Sequence, residues 1–289
     1  MGISPSHKFG QIIGEVLETA VLPLLQKFAD ENKLFLDTQS SRPCRDGKKC
    51  TWTDAKGNAH DLDFVLERGG TPDKIGSPVA FIETAWRRYT KHSRNKAQEI
   101  QGAIIPLAER YHHVFPFKGA ILAGVFTEGA LTQMRSLGFT ILYFPYEMVV
   151  KVFKRFGISA AFDEKTPDED FQKKVDAYAA LSATNKAKLA RALLAENDAA
   201  VKRFVADLTQ AASRTVERVI ILPLHGQVKE LATVEDAIKF ITAYDEQRPP
   251  SGIERYEVQV RYSNGDVIEG KFKEKRTAVE FLRAYQVKP

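Results

Sequence analysis

Two carboxylates occupy stretches of the sequence that otherwise suit the strands of a buried sheet. Asp63 lies within residues 60–67 and Glu83 lies within residues 79–88, and a Gly/Pro-rich turn separates the two stretches. A carboxylate is costly to bury without a partner, and two converging carboxylates serve a divalent cation well. If the two strands are neighbours, the pattern predicts that Asp63 and Glu83 meet at one end of a sheet and bind a metal ion there.

Positive charge is concentrated directly behind the second of these acids. The net charge of +5 fits a polyanionic partner, but the position of the charges says more than their sum. Five basic residues follow Glu83 closely, namely Arg87, Arg88, Lys91, Arg94 and Lys96. The basic density therefore peaks beside the candidate metal ligands.

The cysteine content and the apolar segments limit the cellular setting. Cys44 and Cys50 are the two cysteines of the chain, and no nearby pair of Cys or His completes a zinc site with them. So few cysteines indicate a reducing compartment, and we expect free thiols. The longest apolar stretch, residues 119–126, is too short to span a bilayer, and the N-terminus lacks the apolar core of a signal peptide. We expect a cytoplasmic protein without a membrane partner.

Hydrophobic spacing predicts an α/β chain of the α+β type. Over residues 1–160 the predicted order is a helix, a three-strand meander, a helix, a strand, a helix and a strand. Residues 8–33 show helical spacing that Pro23 should kink or divide. The predicted meander is a hairpin followed by a third strand, at residues 49–53, 62–66 and 78–86.

The remainder of the chain is predicted to form two further parts. Residues 161–215 read as a helical connector, which begins at Pro167 and the acids that follow it. Residues 216–289 read as two copies of a strand, turn, strand, helix unit, and the first strand of the first copy extends to Leu224. Neither copy alone has enough core, so we expect the two copies to share one sheet with the helices on one side.

Residues 8–148 resemble the PD-(D/E)XK nuclease superfamily in the order of their elements. Asp63 stands where the family has an acid on its second strand, and Glu83 where it has a Glu on its third strand. The resemblance implies a restriction-endonuclease-like core in which Asp63 and Glu83 hold Mg²⁺. The family's lysine position falls on Ala85, and no Pro precedes Asp63.

The missing lysine has a candidate replacement on the next predicted helix. Some members of the superfamily supply the lysine from the helix that follows the third strand, which makes Lys96 the candidate and Lys91 the reserve. Glu15 or Glu18 on the first helix could add an outer carboxylate. The resemblance thus gives Asp63, Glu83 and Lys96 as the catalytic residues.

The function that the resemblance implies is Mg²⁺-dependent endonuclease cleavage of double-stranded DNA, as in type II restriction enzymes. Arg87, Arg88, Lys91 and Arg94 would contact backbone phosphates, and the C-terminal repeats would read bases or form a homodimer. The chain has no Gly-rich phosphate loop and no nucleophile elbow, which disfavours nucleotide hydrolysis and acyl transfer. Two alternatives stay open: a repair or junction nuclease on the same core, and a non-catalytic DNA-binding protein.

Each candidate residue also has a purely structural interpretation. Asp61, on the same face as Asp63 of an ideal strand, would simply face solvent. Asp63 and Glu83 would form buried ion pairs with Arg87 or Arg88. Lys96 would be an exposed helix residue, and the basic cluster a solvated surface.

Overall fold

The chain divides into two compact units, Met1–Thr209 and Gln210–Pro289. A computed structural model describes residues 4–223, 227–247 and 254–286. The predicted boundaries near residues 160 and 215 therefore differ from the observed division. Most of the predicted connector belongs to the first unit, because its helices pack against the core.

The first unit contains a five-stranded sheet, a separate hairpin and the helices that cover them. In chain order its elements are α1 (Pro5–Glu31), β1 (Leu34–Thr38), β2 (Cys50–Thr53), β3 (Ala59–Leu62), β4 (Phe64–Arg68), β5 (Ser77–Arg87), α2 (Thr90–Arg110), β6 (Phe117–Gly124), α3 (Glu128–Ser136), β7 (Phe139–Pro145), α4 (Tyr146–Lys154), α5 (Asp168–Ala179), α6 (Ala183–Glu196) and α7 (Asp198–Ser213), of which α7 crosses the division. Ser4 caps α1 by accepting a hydrogen bond from the backbone amide of His7. The helix is a single element that continues through Pro23.

The large sheet has the strand order β1-β4-β5-β6-β7. The strands β1, β4 and β5 pair antiparallel, whereas β6 and β7 continue the sheet in parallel with β5. Parallel neighbours need crossover connections, which α2 and α3 supply. The apolar run of β6 is buried on both faces, as its central position requires.

The predicted meander is wrong in its first strand. The strands β2 and β3 pair with each other in a separate two-stranded sheet, and the first strand of the meander is Leu34–Thr38, for which no strand was predicted. The chain bends at Asp63 and passes from the hairpin into the large sheet. The expectation that Asp61, Asp63 and Val65 share one face therefore fails, because alternation along a strand does not continue across a bend.

Helices cover both faces of the large sheet. Phe81 and Ala85 of β5 share a buried cluster with Ala97 and Ile100 of α2, whereas Trp86 on the other face approaches α1. The helices α5 and α6 then pack against α1. The candidate site lies where β5 ends between α1 and α2.

A buried ionic cluster fastens the loops that flank β1 and β4. The guanidinium of Arg42 donates two hydrogen bonds to Glu67, at 2.6 and 3.0 Å, and lies 2.9 Å from Asp37. Arg45 also donates to Asp37, and so does the thiol of Cys50 at 3.3 Å. Because these charges are paired, the cluster serves the structure of the sheet edge.

The second unit is one four-stranded antiparallel sheet with two helices. Its elements are β8 (Val216–Pro223), β9 (Lys229–Leu231), α8 (Val234–Ala243), β10 (Tyr256–Tyr262), β11 (Val267–Phe272) and α9 (Lys275–Arg283). The order β11-β10-β8-β9 joins the two predicted repeats through the central pair β10 and β8, and α8 and α9 pack together over one core. The repeats therefore share a sheet as expected, while Leu224, the predicted end of a strand, lies outside the described residues.

The two cysteines are both free thiols, as expected from their number. Cys50 is buried, and burial raises the pKa of its thiol well above the usual range, with the charge of Asp37 raising it further. Cys50 is therefore an unreactive core residue. Among the residues described, no helix combines the length and the apolar character that crossing a membrane requires.

Candidate active site

A cleft of about 1230 Å³ opens in the first unit beside the end of β5. The start of α1, the start of α2 and residues 162–171 form its other walls. The residues predicted from the sequence that line it are Glu15, Glu18, Asp63, Glu83, Arg87, Arg88 and Lys96. Lys91 and Arg94 are exposed on α2 and do not line this cleft.

Asp63 is held in one orientation by three hydrogen bonds. Its Oδ2 accepts from the backbone amide of Thr84 at 2.7 Å and from the Thr84 hydroxyl at 2.8 Å, while its Oδ1 accepts from Gln39 Nε2 at 2.9 Å. The bend between β3 and β4 makes this possible, because it turns the half-buried carboxylate toward β5. Within the described part of the chain, neither Arg87 nor Arg88 forms an ion pair with Asp63.

Glu83 is a nearly buried carboxylate beside a lysine. Its side chain is 8% exposed, and its Oε2 lies 3.5 Å from Lys96 Nζ. Burial raises the pKa of Glu83, and the negative charge of Asp63 raises it further. Lys96 and the backbone amide of Asp63 oppose these effects, and the pKa stands at about 8. Glu83 is therefore poised to exchange a proton near neutral pH.

Lys96 reaches the site from α2. Its side chain is 21% exposed and also lies 3.8 Å from Glu99. Ala85, two residues after Glu83, is buried in the core against α2. Lys96 is the predicted residue that lies beside Glu83, and it is half-buried and not the ordinary exposed helix residue of its structural interpretation.

Glu18 on α1 adds a third carboxylate on the side of Asp63. Burial is the main cause that raises the pKa of Glu18, and the charges of Asp63 and Glu15 raise it further. A second, smaller cavity of about 270 Å³ is lined by the same three acids, Glu15, Glu18 and Asp63. Burial and neighbouring negative charge therefore disfavour the ionised form of Glu18.

The donor set suits a hard divalent cation. Mg²⁺ commonly keeps several waters and takes one or two protein carboxylates together with a substrate phosphate. Asp63 and Glu83 offer oxygens of this kind, and the ionised form of Glu83, which burial and the charge of Asp63 disfavour, is one that a cation would stabilise. No group of three or more His, Cys, Asp or Glu side chains is arranged to hold a metal within the residues that the structure describes. The fit therefore rests on two carboxylates.

The basic residues behind Glu83 divide into two kinds. Arg88 stacks on the ring of Tyr146, with 3.9 Å between its Cζ and the ring centroid, and its Nε donates to the carbonyl of Phe162 at 3.0 Å. Arg87 donates to the carbonyl of Trp86 at 2.7 Å. Both arginines line the cleft, whereas the solvated interpretation fits Lys91 and Arg94.

Asp61 belongs to the hairpin and not to the cleft. Its carboxylate accepts hydrogen bonds from Lys49 and from the hydroxyl of Thr51, both at 2.6 Å. It is exposed, as its structural interpretation predicted.

Several residues of the site were not predicted from the sequence. Gln39 and Thr84 orient Asp63, Trp86 lines the cleft beside Arg88, and the ring of Tyr146 packs against both Trp86 and Arg88. The adjacency of Trp86 to Arg87 is visible in the sequence, but the proximity of Trp86 to Tyr146 depends on the packing of α4 near the end of β5.

Comparisons with known proteins assign no function. No protein-family model matches the sequence, and no curated protein matches it. A crystal structure titled as a protein of unknown function, AF1548, matches 68% of this chain and 98% of its own chain at 11% identity, with a TM-score of 0.29. A similarity at that TM-score carries no argument about fold or function.

Proposed function

We propose that this chain is a Mg²⁺-dependent endonuclease that hydrolyses phosphodiester bonds of double-stranded DNA on a PD-(D/E)XK-like core. The observation that carries the proposal is the gathering of Asp63, Glu83 and Lys96 at one end of a cleft. The sheet supports it, because an antiparallel meander that continues into two parallel strands follows the element order that the resemblance requires. Lys96 supports catalysis over binding alone, because it replaces the lysine absent at Ala85.

Each residue has a distinct role in this proposal. Asp63 and Glu83 would hold Mg²⁺, which when bound lowers the pKa of a water and stabilises charge on phosphorus. Thr84 and Gln39 keep the Asp63 carboxylate in a fixed orientation. Glu83 would hold the cation in its ionised form, which burial and the charge of Asp63 disfavour when no metal is bound. Lys96 orients the attacking water or neutralises the phosphate from its place beside Glu83.

Incubation of the purified protein with plasmid DNA and Mg²⁺ tests the proposal. We expect cleavage that Asp63→Asn and Glu83→Gln abolish, while Lys96→Ala slows it by about two orders of magnitude. Asp61→Asn is a matched control, because this neighbouring carboxylate is exposed and bonded to Lys49. A wild-type rate in either carboxylate variant would contradict the proposal.

The pattern of products distinguishes the finer alternatives. Discrete bands indicate a type II restriction enzyme, which would act as a homodimer on a palindromic site. Preferential cutting of branched substrates indicates a repair or junction nuclease. Tight binding without Mg²⁺-dependent cleavage indicates a non-catalytic DNA-binding protein.

A further inference from the structure

The guanidinium of Arg88 is rigidly held yet largely free to bind a ligand. Its stacking on Tyr146 and the bond from Nε to Phe162 fix the plane of the group. Both Nη atoms lack a partner among the described residues, and the side chain lines the cleft. Asp163, on the same cleft, instead accepts hydrogen bonds within its own loop, from the amide of Lys165 and the hydroxyl of Thr166. The free edge of Arg88 thus presents a planar pair of donors, the geometry that matches a phosphate.

Trp86 provides a second donor on the same wall. The residue is 8% exposed, and its ring lies 6.2 Å from the ring of Tyr146. Across residues 4–223, 227–247 and 254–286, its indole N–H has no hydrogen-bond partner. The nitrogen itself is not buried, so it can donate to a ligand that enters the cleft lined by Trp86.

Gly10 on α1 keeps the space in front of this donor open. A β-carbon added to Gly10 would lie 4.0 Å from Trp86 Nε1 and closer to nothing else outside its own helix. Gly10 also lines the cleft. A side chain at this position would contact the indole nitrogen and take space from a ligand bound to it.

We propose that Arg88 and Trp86 form a phosphate subsite in the cleft, which binds a phosphate of the nucleic-acid strand near the one that is cut. The proposal rests on the proposed function and adds a positioning contact to it. Arg88 supplies the charge and the planar pair of donors, and Trp86 supplies a neutral donor to a phosphate oxygen. Anchoring one phosphate holds the strand in register with Asp63 and Glu83, which line the same cleft.

Three substitutions, each with a matched control elsewhere in the chain, test the subsite. Arg88→Lys keeps the charge but loses the planar donors, and its control is the exposed Arg203→Lys on α7. Trp86→Phe keeps a ring but loses the N–H, and its control is Trp52→Phe on the hairpin. Gly10→Ala fills the space in front of the donor at an ordinary contact distance, and its control is Gly102→Ala on α2, where a β-carbon meets nothing within 4 Å.

Binding is measured by fluorescence anisotropy with a short labelled duplex, in Ca²⁺ and in EDTA, and melting temperatures are recorded in parallel. We expect each cleft variant to bind about tenfold more weakly than its control, the loss expected for a hydrogen bond to a charged group. Arg88→Lys should leave the salt dependence unchanged, because the charge remains. Gly10→Ala should melt no lower than wild type, because Ala favours a helix, so its weaker binding cannot come from unfolding.

The outcomes separate this proposal from the proposed function. If the wild-type protein binds the duplex and each cleft variant binds it as tightly as its control does, the subsite proposal is wrong. The nuclease proposal is unaffected by that result. If wild-type protein binds DNA in neither Ca²⁺ nor EDTA, both proposals are overturned. A comparison of a duplex with 5′-phosphates and one with 5′-hydroxyls identifies the source of the phosphate. If the cleft variants lose affinity only for the phosphorylated duplex, the subsite binds a terminal phosphate. If they lose the same affinity for both duplexes, it binds an internal phosphodiester.

Discussion

Glu83 combines three properties that rarely coincide in one carboxylate. It lies within the buried stretch of β5, it contacts a lysine from another element, and it is within electrostatic reach of Asp63. Burial and like charge both disfavour its ionised form. The folded protein therefore binds a proton at Glu83 more tightly than the unfolded chain does.

The stability of the protein should reflect this proton. Because the folded pKa of about 8 lies above the ordinary value of 4.5, the contribution of Glu83 is fully present below pH 4.5 and is lost as the pH rises through 8. Glu83→Gln should thus be more stable than wild type above pH 8, on the order of 2 kcal/mol, with the difference shrinking toward pH 4.5. Urea unfolding across this pH range measures it. Glu99→Gln, an exposed neighbour of Lys96, should show no such trend.

Thr84 should contribute to metal affinity without touching the metal. Its hydroxyl donates to Asp63, so Thr84→Val should weaken Mg²⁺ binding by about tenfold while preserving the fold. Calorimetric titration of the metal measures this effect. Thr51→Val is the control, because Thr51 donates a comparable bond to Asp61 on the hairpin. Equal metal affinities in the two variants would show that Thr84 does not position Asp63 for the metal.

Single residues of the site were predictable to different degrees. Asp63 and Glu83 stood out because acids in apolar runs conflict with burial, and Lys96 was identified through the family resemblance. Thr84 carried no comparable signal, because a threonine in a strand is ordinary and its bond to Asp63 depends on a bend. For Arg88, the sequence shows only a basic residue in a basic cluster, since the ring of Tyr146 that orients it comes from a distant helix.

At the scale of elements, the sequence located most strands but not the pairing of the first ones. The turn at residues 54–58 favours local pairing, and it led to a hairpin predicted between residues 49–53 and 62–66. The structure pairs β2 with β3 instead, and Phe64–Arg68 forms β4 of the large sheet. Leu34–Thr38 follows a long helix directly, and its short run of residues carries little period of its own. Its assignment depends on β4, a partner that lies beyond the whole hairpin in the sequence.

The pairing of β1 with β4 should depend on the buried ionic cluster. Arg42→Met would leave Glu67, which is fully buried, without its counterion, and we expect a loss of about 3–5 kcal/mol in the free energy of unfolding. Urea denaturation measures the loss. Arg135→Met, which breaks an exposed ion pair with Glu128, should cost less than about 1 kcal/mol. Similar losses in both variants would mean that the cluster does not hold this sheet edge.

At the scale of the whole molecule, the boundary of the first unit can be tested by truncation. A fragment ending at Thr209 should fold and keep the cleft, whereas a fragment ending at residue 160 should aggregate. The shorter fragment lacks Phe171, which packs on Phe9, and Phe204, which packs on Phe117, so it exposes apolar surface of the core. Circular dichroism and sedimentation of both fragments measure this difference. If the shorter fragment is soluble and unfolds cooperatively, the first unit ends near residue 160.

The division at residue 209 was not readable from the sequence. The amphipathic spacing of α5 and α6 fits either a connector or a layer packed on the core. They pack on α1, which lies far away in the chain, so their sequence alone could not decide between the two. The C-terminal repeats were recognisable because each carries its own strand alternation and helix spacing. The second unit was therefore recognisable from the local spacing of its apolar residues. The end of the first unit depends on contacts between helices that are distant in the sequence.

Lys96 approaches Glu83 from α2, and Ala85 lies in the core cluster that α2 shares with β5. The two positions are therefore coupled by packing, because a small residue at 85 lets α2 pack closely on β5 and so brings Lys96 near the acid. The reach of the lysine is set by the size of a side chain that never contacts it.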